Sequence, residues 1–169
     1  MLVTSQIHYT RTDSPVGELL LVGDEDALHA LRMQEGRRPA RIRPEWVESD
    51  EPFADALVQL REYFAGKRTR FDLRLSPSGS PFQLRVWKAL RQIPYGRTAS
   101  YGEVARKVGT PSAPRAVGAA NGLNPIGIIV PCHRVIGADG SLTGYGGGLE
   151  RKRLLLDLEA GILPLQTAA

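Results

Sequence analysis

Residues 100–121 read SYGEVARKVGTPSAPRAVGAAN, and the spacing within them predicts two short helices joined by a tight turn. Ser100 followed three residues later by Glu103 has the form of a capping box. The hydroxyl and the carboxylate satisfy free N–H groups of the first turn. That helix runs to about Val108, where Gly109 supplies a left-handed stop. After Thr110-Pro111, Ser112 is expected to cap a second helix reaching about Asn121. Two short helices across a glycine turn outline a helix-turn-helix. Ala116, Gly118, Ala119 and Ala120 in the second helix are small. Its backbone is therefore free to come close to another surface, either DNA or a neighbouring helix.

C-terminal to this pair, residues 126–130 (IGIIV) form an apolar run expected to be a buried strand. It leads into Pro131-Cys132-His133-Arg134-Val135. A lone cysteine is usually a small core hydrophobe, but three features point to chemistry at Cys132. Pro131 ends the strand just before the thiol. His133 and Arg134 follow at once, and nearby positive charge lowers a thiol pKa from its free value of about 8.5. Residues 144–148 (GYGGG) make a loop whose backbone a ligand can approach. In extended chain, adjacent side chains point apart, so His133 reaches Cys132 through a bridging water rather than directly. An imidazole in that role needs a carboxylate to fix its tautomer. Glu159, near the end of a helix expected from Glu150 to about Ala160, is the candidate, because a negative charge there opposes the helix dipole. The alternative for Glu159 is a solvated side chain. The residues taken alone thus outline a Cys–water–His–Glu relay beside a helix pair.

N-terminal to the pair, Phe82, Val86, Ala89, Leu90 and Ile93 share one face of a helix that Pro94-Tyr95-Gly96 ends. Residues 76–81 (SPSGSP) favour neither helix nor strand and read as a linker. The preceding segment suggests a small α/β unit. Residues 17–23 and 27–33 are apolar strands across the acidic turn Asp24-Glu25-Asp26. Residues 34–52 form an exposed loop. Phe53, Ala56, Leu57, Leu60 and Phe64 recur at helical spacing before Gly66, and Phe71, Leu73 and Leu75 alternate as in a half-buried strand. The chain divides accordingly into an N-terminal α/β domain (1–75), a linker (76–81) and a C-terminal domain (82–169).

Composition sets the class. Hydrophobic residues are 42% and charged residues 24% of the chain, as in an ordinary globular protein. One cysteine excludes an intramolecular disulfide, and one cysteine with three histidines argues against a structural zinc site, so no metal is expected. The first residues lack the apolar run of a signal peptide, and no stretch approaches a membrane span, which suggests a cytoplasmic protein. Net charge is +4 but unevenly placed: residues 1–81 carry 11 basic against 13 acidic side chains, residues 82–169 carry 11 against 5. A basic C-terminal half fits a polyanion partner as well as it fits a solvated surface.

The segment Pro131-Cys132-His133-Arg134-Val135 resembles the active-site signature of the O6-alkylguanine-DNA alkyltransferases, the methylated-DNA–protein-cysteine methyltransferases. The likeness extends, in order, through Phe82-Gln83-Leu84-Arg85-Val86-Trp87, Ile93-Pro94-Tyr95-Gly96, Ser100-Tyr101-Gly102, Arg115-Ala116-Val117-Gly118, Asn124-Pro125, Gly144-Tyr145-Gly146-Gly147-Gly148 and Leu158-Glu159. It covers residues 82–161 well and 14–75 loosely, with Ser14-Pro15-Val16-Gly17 the clearest N-terminal piece.

This resemblance implies a ribonuclease H-like N-terminal domain followed by a winged helix-turn-helix. It also implies single-use, irreversible alkyl transfer from O6-alkylguanine in double-stranded DNA, with O4-alkylthymine as a second lesion and with no cofactor. Cys132 would be the nucleophile, His133 the base acting through water, and Glu159 the group that orients it. Tyr101 would protonate or hydrogen-bond the departing guanine. Asn124 would tie the recognition helix to the site. Arg115 would be the finger that fills the stack when the nucleotide flips out. Ser100, Tyr101, Ala116, Gly118 and Ala119 would meet DNA, and Tyr145, Gly146, Gly147 and Val135 would line the pocket. A monomer is expected, with cooperative binding of copies on DNA as the alternative. Two departures stand out: Pro114 directly precedes Arg115 where many relatives carry alanine, and Gly146 and Gly147 leave room for alkyl groups larger than methyl. Relatives that sense damage without repairing it commonly carry tryptophan in place of the cysteine, so Cys132 speaks for transfer. A transcription factor with a structural cysteine and a cysteine hydrolase are the rivals from other classes.

Overall fold

The computed structural model describes residues 4–162. Its N-terminal half holds β1 (His8–Thr12), β2 (Leu19–Gly23), β3 (Leu28–Met33) and β4 (Val47–Glu48), in the order β3-β2-β1-β4. β2 pairs antiparallel with both β1 and β3, and β4 lies parallel to β1. Every residue of β2 is buried, which is why it reads as a continuous apolar run rather than an alternating one. The acidic turn works as an Asx turn, with Asp24 Oδ1 accepting from the N–H groups of Asp26 and Ala27 at 2.8 and 2.9 Å. α1 (Ala54–Phe64) buries Ala56, Leu60, Tyr63 and Phe64 beside the sheet, and Gly66 follows with φ of 72°.

Two expectations for this half need adjustment, and one strand goes unannounced in the sequence. β1, His8-Tyr9-Thr10-Arg11-Thr12, gave no apolar signal, because only Thr10 in it is buried. The exposed 34–52 loop contains β4 and the start of a 3-10 turn, Glu51–Phe53. The strand expected over 71–75 is reduced to one bridge, Leu28 to Leu75. Gln59 takes the place of a strand partner: its amide donates to Asp72 O at 3.0 Å and accepts from Asp72 N at 2.8 Å.

The C-terminal half contains α2 (Pro81–Leu90), α3 (Tyr101–Lys107), α4 (Pro114–Gly122) and α5 (Leu149–Glu159), with β5 (Ala99–Ser100) parallel to β6 (Val135–Ile136). Ser80 and Gln83 form a capping box at the start of α2, so the last residues of the Ser/Pro/Gly stretch already belong to a helix start. The Ser100–Glu103 capping box of α3 is present as expected. α4 differs: it begins at Pro114 with Ala113 as its cap and no side-chain capping bond from Ser112. Proline suits the first helical position because its fixed φ matches and its missing N–H has no partner there anyway. α2 is held on α4 by Trp87 Nε1, which donates to Ala120 O at 2.8 Å.

The two halves share one apolar core that runs from Leu19 and Leu31 through Leu60 and Trp87 to Val135 and Leu158. Backbone bonds join them as well. Leu31 N donates to Pro125 O at 2.9 Å and Gly127 N to Leu31 O at 3.1 Å, so β3 docks directly onto the segment that leads to Cys132.

Candidate active site

That segment is not the strand its apolar run suggests. Ile128 has φ of 70°, a left-handed conformation that costs a β-branched residue energy and persists only where the surroundings enforce it. Tight backbone bonds do so, from Ile129 N to Gly127 O at 2.7 Å and from Val130 N to Ile126 O at 3.1 Å. Asn124 closes the turn: its Nδ2 donates to Val130 O at 2.8 Å and its Oδ1 accepts from Ile126 N at 3.0 Å. Cys132 then opens a 3-10 turn, Cys132–Arg134, instead of leaving a strand. From α4, Asn121 Nδ2 reaches Cys132 O at 3.4 Å. Both asparagines therefore connect the helix pair to the thiol-bearing turn, and only Asn124 was anticipated.

His133 is fully buried, and Glu159 is 6% exposed. Glu159 Oε2 lies 2.7 Å from His133 Nε2, and Oε1 accepts from Arg134 Nε at 2.7 Å. Arg134 Nη2 and the Tyr63 hydroxyl also donate to Oε2, at 3.0 and 2.6 Å. Burial alone raises the Glu159 carboxyl, but the His133 and Arg134 bonds and charges outweigh it and hold it at about 2. Burial keeps His133 below its ordinary value against the pull of Glu159. His133 Nδ1 is buried and has no hydrogen-bond partner among the described residues.

The expected lowering of the thiol does not occur: burial outweighs the charges around it, and His133 and Arg134 are bonded to Glu159. Burial pushes Cys132 above its ordinary value, opposed by the Asn124 side chain, Lys152 and Arg32. Lys152 is itself fully buried, with Nζ donating to Val135 O at 2.6 Å and Thr143 O at 3.0 Å. Tyr63, Lys152 and Arg32 left no sign in the sequence, since each reaches the site from a distant element. Arg134 is visible in the signature, but its partner is Glu159 rather than the thiol.

Cys132 borders a cavity of about 50 Å³ shared with Asn124, Tyr145, Gly146 and Gly147. Val135, expected in the pocket, is instead fully buried in β6 and does not border this cavity. The two glycines also differ. A Cβ on Gly146 meets nothing, whereas one on Gly147 runs into Met33 and Tyr145, so Gly146 alone leaves space. The opposite wall comes from the N-terminal half through Arg32, Met33 and Arg38. Tyr101 stands at the rim, its hydroxyl donating to Thr143 O at 3.2 Å. Ser100 caps α3 and is half-buried. On α4, Arg115, Ala116 and Ala119 are exposed, while Val117 and Ala120 are buried. The helix thus turns Arg115, Ala116 and Ala119 outward, while Ala120 packs inside. Gly118 is half-buried, facing the Tyr101 ring.

Known proteins resemble this chain along nearly its whole length. Residues 7–77 match the family described as 6-O-methylguanine DNA methyltransferase, ribonuclease-like domain, and residues 81–161 match its DNA binding domain. A methylated-DNA–protein-cysteine methyltransferase of Mycobacterium bovis is 56% identical over 159 residues, covering 94% of this chain and 95% of its own length. One from Methanosarcina acetivorans is 51% identical over 153 residues, covering 90% and 98%. The crystal structure of Mycobacterium tuberculosis OGT in complex with DNA superposes with a TM-score of 0.86 at 55% identity, covering 93% of this chain and 95% of that one. With both family domains matched in order and relatives above half identity along nearly the whole chain, this protein belongs to the methylated-DNA–protein-cysteine methyltransferase family.

Proposed function

We propose that this protein repairs DNA by direct reversal, moving the alkyl group of O6-alkylguanine in a duplex onto Cys132 in a single irreversible step. The observation that carries this reading is the buried His133–Glu159 pair directly beside a cavity-lining thiol. A carboxylate held at about 2 only accepts, so the Nε2–H of His133 points at Glu159 and the Nδ1 lone pair is free. Because His133 is kept below its ordinary value it is neutral at neutral pH. It is therefore ready to take the Cys132 proton through a bridging water. The thiolate attacks the alkyl carbon in line, the carbon–O6 bond breaks, and guanine leaves with the proton, delivered at the Tyr101 end of the pocket. Glu159 and Asn124 are positioning residues, the first for the imidazole and the second for the turn that carries the thiol. No cofactor is needed, since nucleophile, base and leaving group complete the exchange.

A stacked base cannot present its O6 substituent to a recessed thiol, so the nucleotide flips out at a cost of a few kcal/mol in stacking and pairing. Arg115, exposed at the second residue of α4, fills the gap. Ala116, Gly118 and Ala119 let α4 approach the minor groove, and Ser100 and Tyr101 meet the backbone at the start of α3. Tyr145, Gly146 and Gly147 enclose the base. The same arrangement admits O4-alkylthymine, which also presents its alkyl carbon on an exocyclic oxygen. The exposed large apolar residues, such as Val58, Leu84 and Leu149, are scattered, in keeping with a monomer. A single free thiol fits a reducing cytoplasm. Among the described residues no helix is long and apolar enough to cross a membrane.

Intact mass after incubation with duplex DNA carrying one O6-methylguanine tests the reading. The expected result is a gain of one methylene on the Cys132 peptide, at one methyl per chain and absent in Cys132→Ser. Tight binding to the lesion with unchanged mass would mean a damage sensor instead.

A further inference from the structure

The register of β3 gives the N-terminal half a share in the cavity. Because Leu31 bridges to Ile126, Arg32 and Met33 reach the space in front of Cys132, and Arg38 borders it from the loop that follows. Arg32 is half-buried, with Nη1 at 3.5 Å from Asn124 O. Its guanidinium is destabilised by burial first and by Arg38 second, and favoured by Cys132. Among the described residues neither arginine has a carboxylate partner. The ion-paired arginines are Arg11, Arg68, Arg134 and Arg151. Two like charges held at one wall, one of them drawn out of water, are unfavourable until an anion joins them. The space between them and the thiol is open, since Gly127 and Gly146 border it without side chains. The cavity that the thiol borders is thus the one that both arginines border.

We propose that Arg32 and Arg38 form an anion-accepting wall of the alkyl subsite, so that adducts ending in a carboxylate, such as O6-carboxymethylguanine, are transferred faster than neutral adducts of the same shape. This rests on the alkyl-transfer reading above. The step balances as for methyl: the Sγ–CH2 bond forms, the CH2–O6 bond breaks, its electron pair leaves with guanine, and guanine takes the proton the thiol gave up. The carboxylate stays ionised throughout against the two guanidiniums and ends on S-carboxymethylcysteine. Arginine suits the task because its planar fork meets a carboxylate with two parallel hydrogen bonds.

Single-turnover rates on three duplexes, identical except for O6-methyl, O6-carboxymethyl or the near-isosteric neutral O6-carbamoylmethyl group, test this. The wild type is expected to take carboxymethyl about tenfold faster than carbamoylmethyl, the difference one charge-assisted hydrogen bond makes. Arg38→Met and Arg32→Met are expected to bring that ratio to about one, and Arg38→Lys to keep part of it. Arg38 is exposed, so its substitution leaves the core intact. A wild-type ratio of one or below overturns the proposal. So does an equal slowing of all three adducts in the arginine variants, which would assign the charges to a DNA phosphate or to the thiolate. Absence of methyl transfer as well would remove the alkyl-transfer reading, whereas methyl transfer without a carboxylate preference removes the subsite alone.

Discussion

The Tyr63 hydroxyl donates to Glu159 Oε2 at 2.6 Å, the same oxygen that lies 2.7 Å from His133 Nε2. One carboxylate oxygen thus joins α1 of the N-terminal half to the imidazole beside the thiol. Burial first, and then the neighbouring carboxylate, raise the Tyr63 phenol well above its ordinary range, so it remains a donor at any working pH. The N-terminal half is in this way tied into the hydrogen-bond cluster beside Cys132.

Tyr63→Phe removes that donor and nothing else. A buried hydrogen bond to a charged group contributes about 1.5–3 kcal/mol, so the melting temperature is expected to fall by roughly 4–10 °C. Methyl transfer is expected to slow about three- to tenfold while duplex affinity stays the same, because Glu159 has lost one of the contacts that aim it. Stopped-flow transfer and thermal melts check both. An unchanged rate in a destabilised variant would reduce Tyr63 to a packing role.

Arg134 and Glu159 are a buried pair with two contacts, at 2.7 and 3.0 Å, and Arg134 Nη1 also donates to Ile93 O at 2.7 Å. Removing one member strands the other. Arg134→Met and Glu159→Gln are each expected to cost about 3–5 kcal/mol in denaturant unfolding. The double variant is expected to cost clearly less than the two added together, since no uncompensated charge remains. Strict additivity would mean that the two groups do not interact.

Acid stability follows from the same cluster. Glu159 is held at about 2 against an ordinary 4.5. Its contribution is therefore complete above 4.5 and is lost as pH falls from there toward 2, at roughly 3 kcal/mol in full. His133 is also lowered, from 6.5, so below 6.5 the unfolded chain binds a proton that the folded chain refuses. Stability is thus expected to decline in two stages, a shallow one below pH 6.5 and a steep one below 4.5. Thermal melts from pH 8 to 3 read this directly. In Glu159→Gln the steep stage should shrink, and its persistence at full size would place the acid-sensitive group elsewhere.

What was legible in the sequence was local chemistry. The Ser100–Glu103 capping box and the Gly66 stop after α1 each depend on a few neighbouring residues. So does the Asp24 turn. The cysteine, the histidine and the acid were legible by signature, and the structure does bring His133 and Glu159 together. What failed depended on contacts across the chain. The run at 126–130 looks like a strand because all its side chains but Gly127 are apolar, yet Asn124 and β3 bend it into a turn with Ile128 left-handed. Residues 71–75 alternate correctly, but Gln59 takes the backbone bonds a strand would offer. Tyr63, Arg32 and Lys152 enter the site by tertiary packing, and no pattern around them announces it.

Lys152 offers the last test. It is fully buried on α5, and its ammonium joins Val135 O, just past the thiol turn, to Thr143 O in the pocket loop. Thr143 O also accepts from the Tyr101 hydroxyl, so one cation sets the spacing between the thiol turn, the loop and the rim tyrosine. Lys152→Met keeps the long apolar stem and deletes the donor, leaving a buried carbonyl at Val135 without it. The expected cost is about 1–3 kcal/mol. The larger effect is expected in residues 137–148, whose amide exchange should rise while that of α2 and β2 does not. Transfer should slow more than DNA binding weakens, because on the proposed flipping the loop meets the base only once it has left the stack. If exchange in 137–148 is unchanged, the ammonium serves the stability of α5 alone, and the alignment of thiol and loop must come from Asn124 and Asn121.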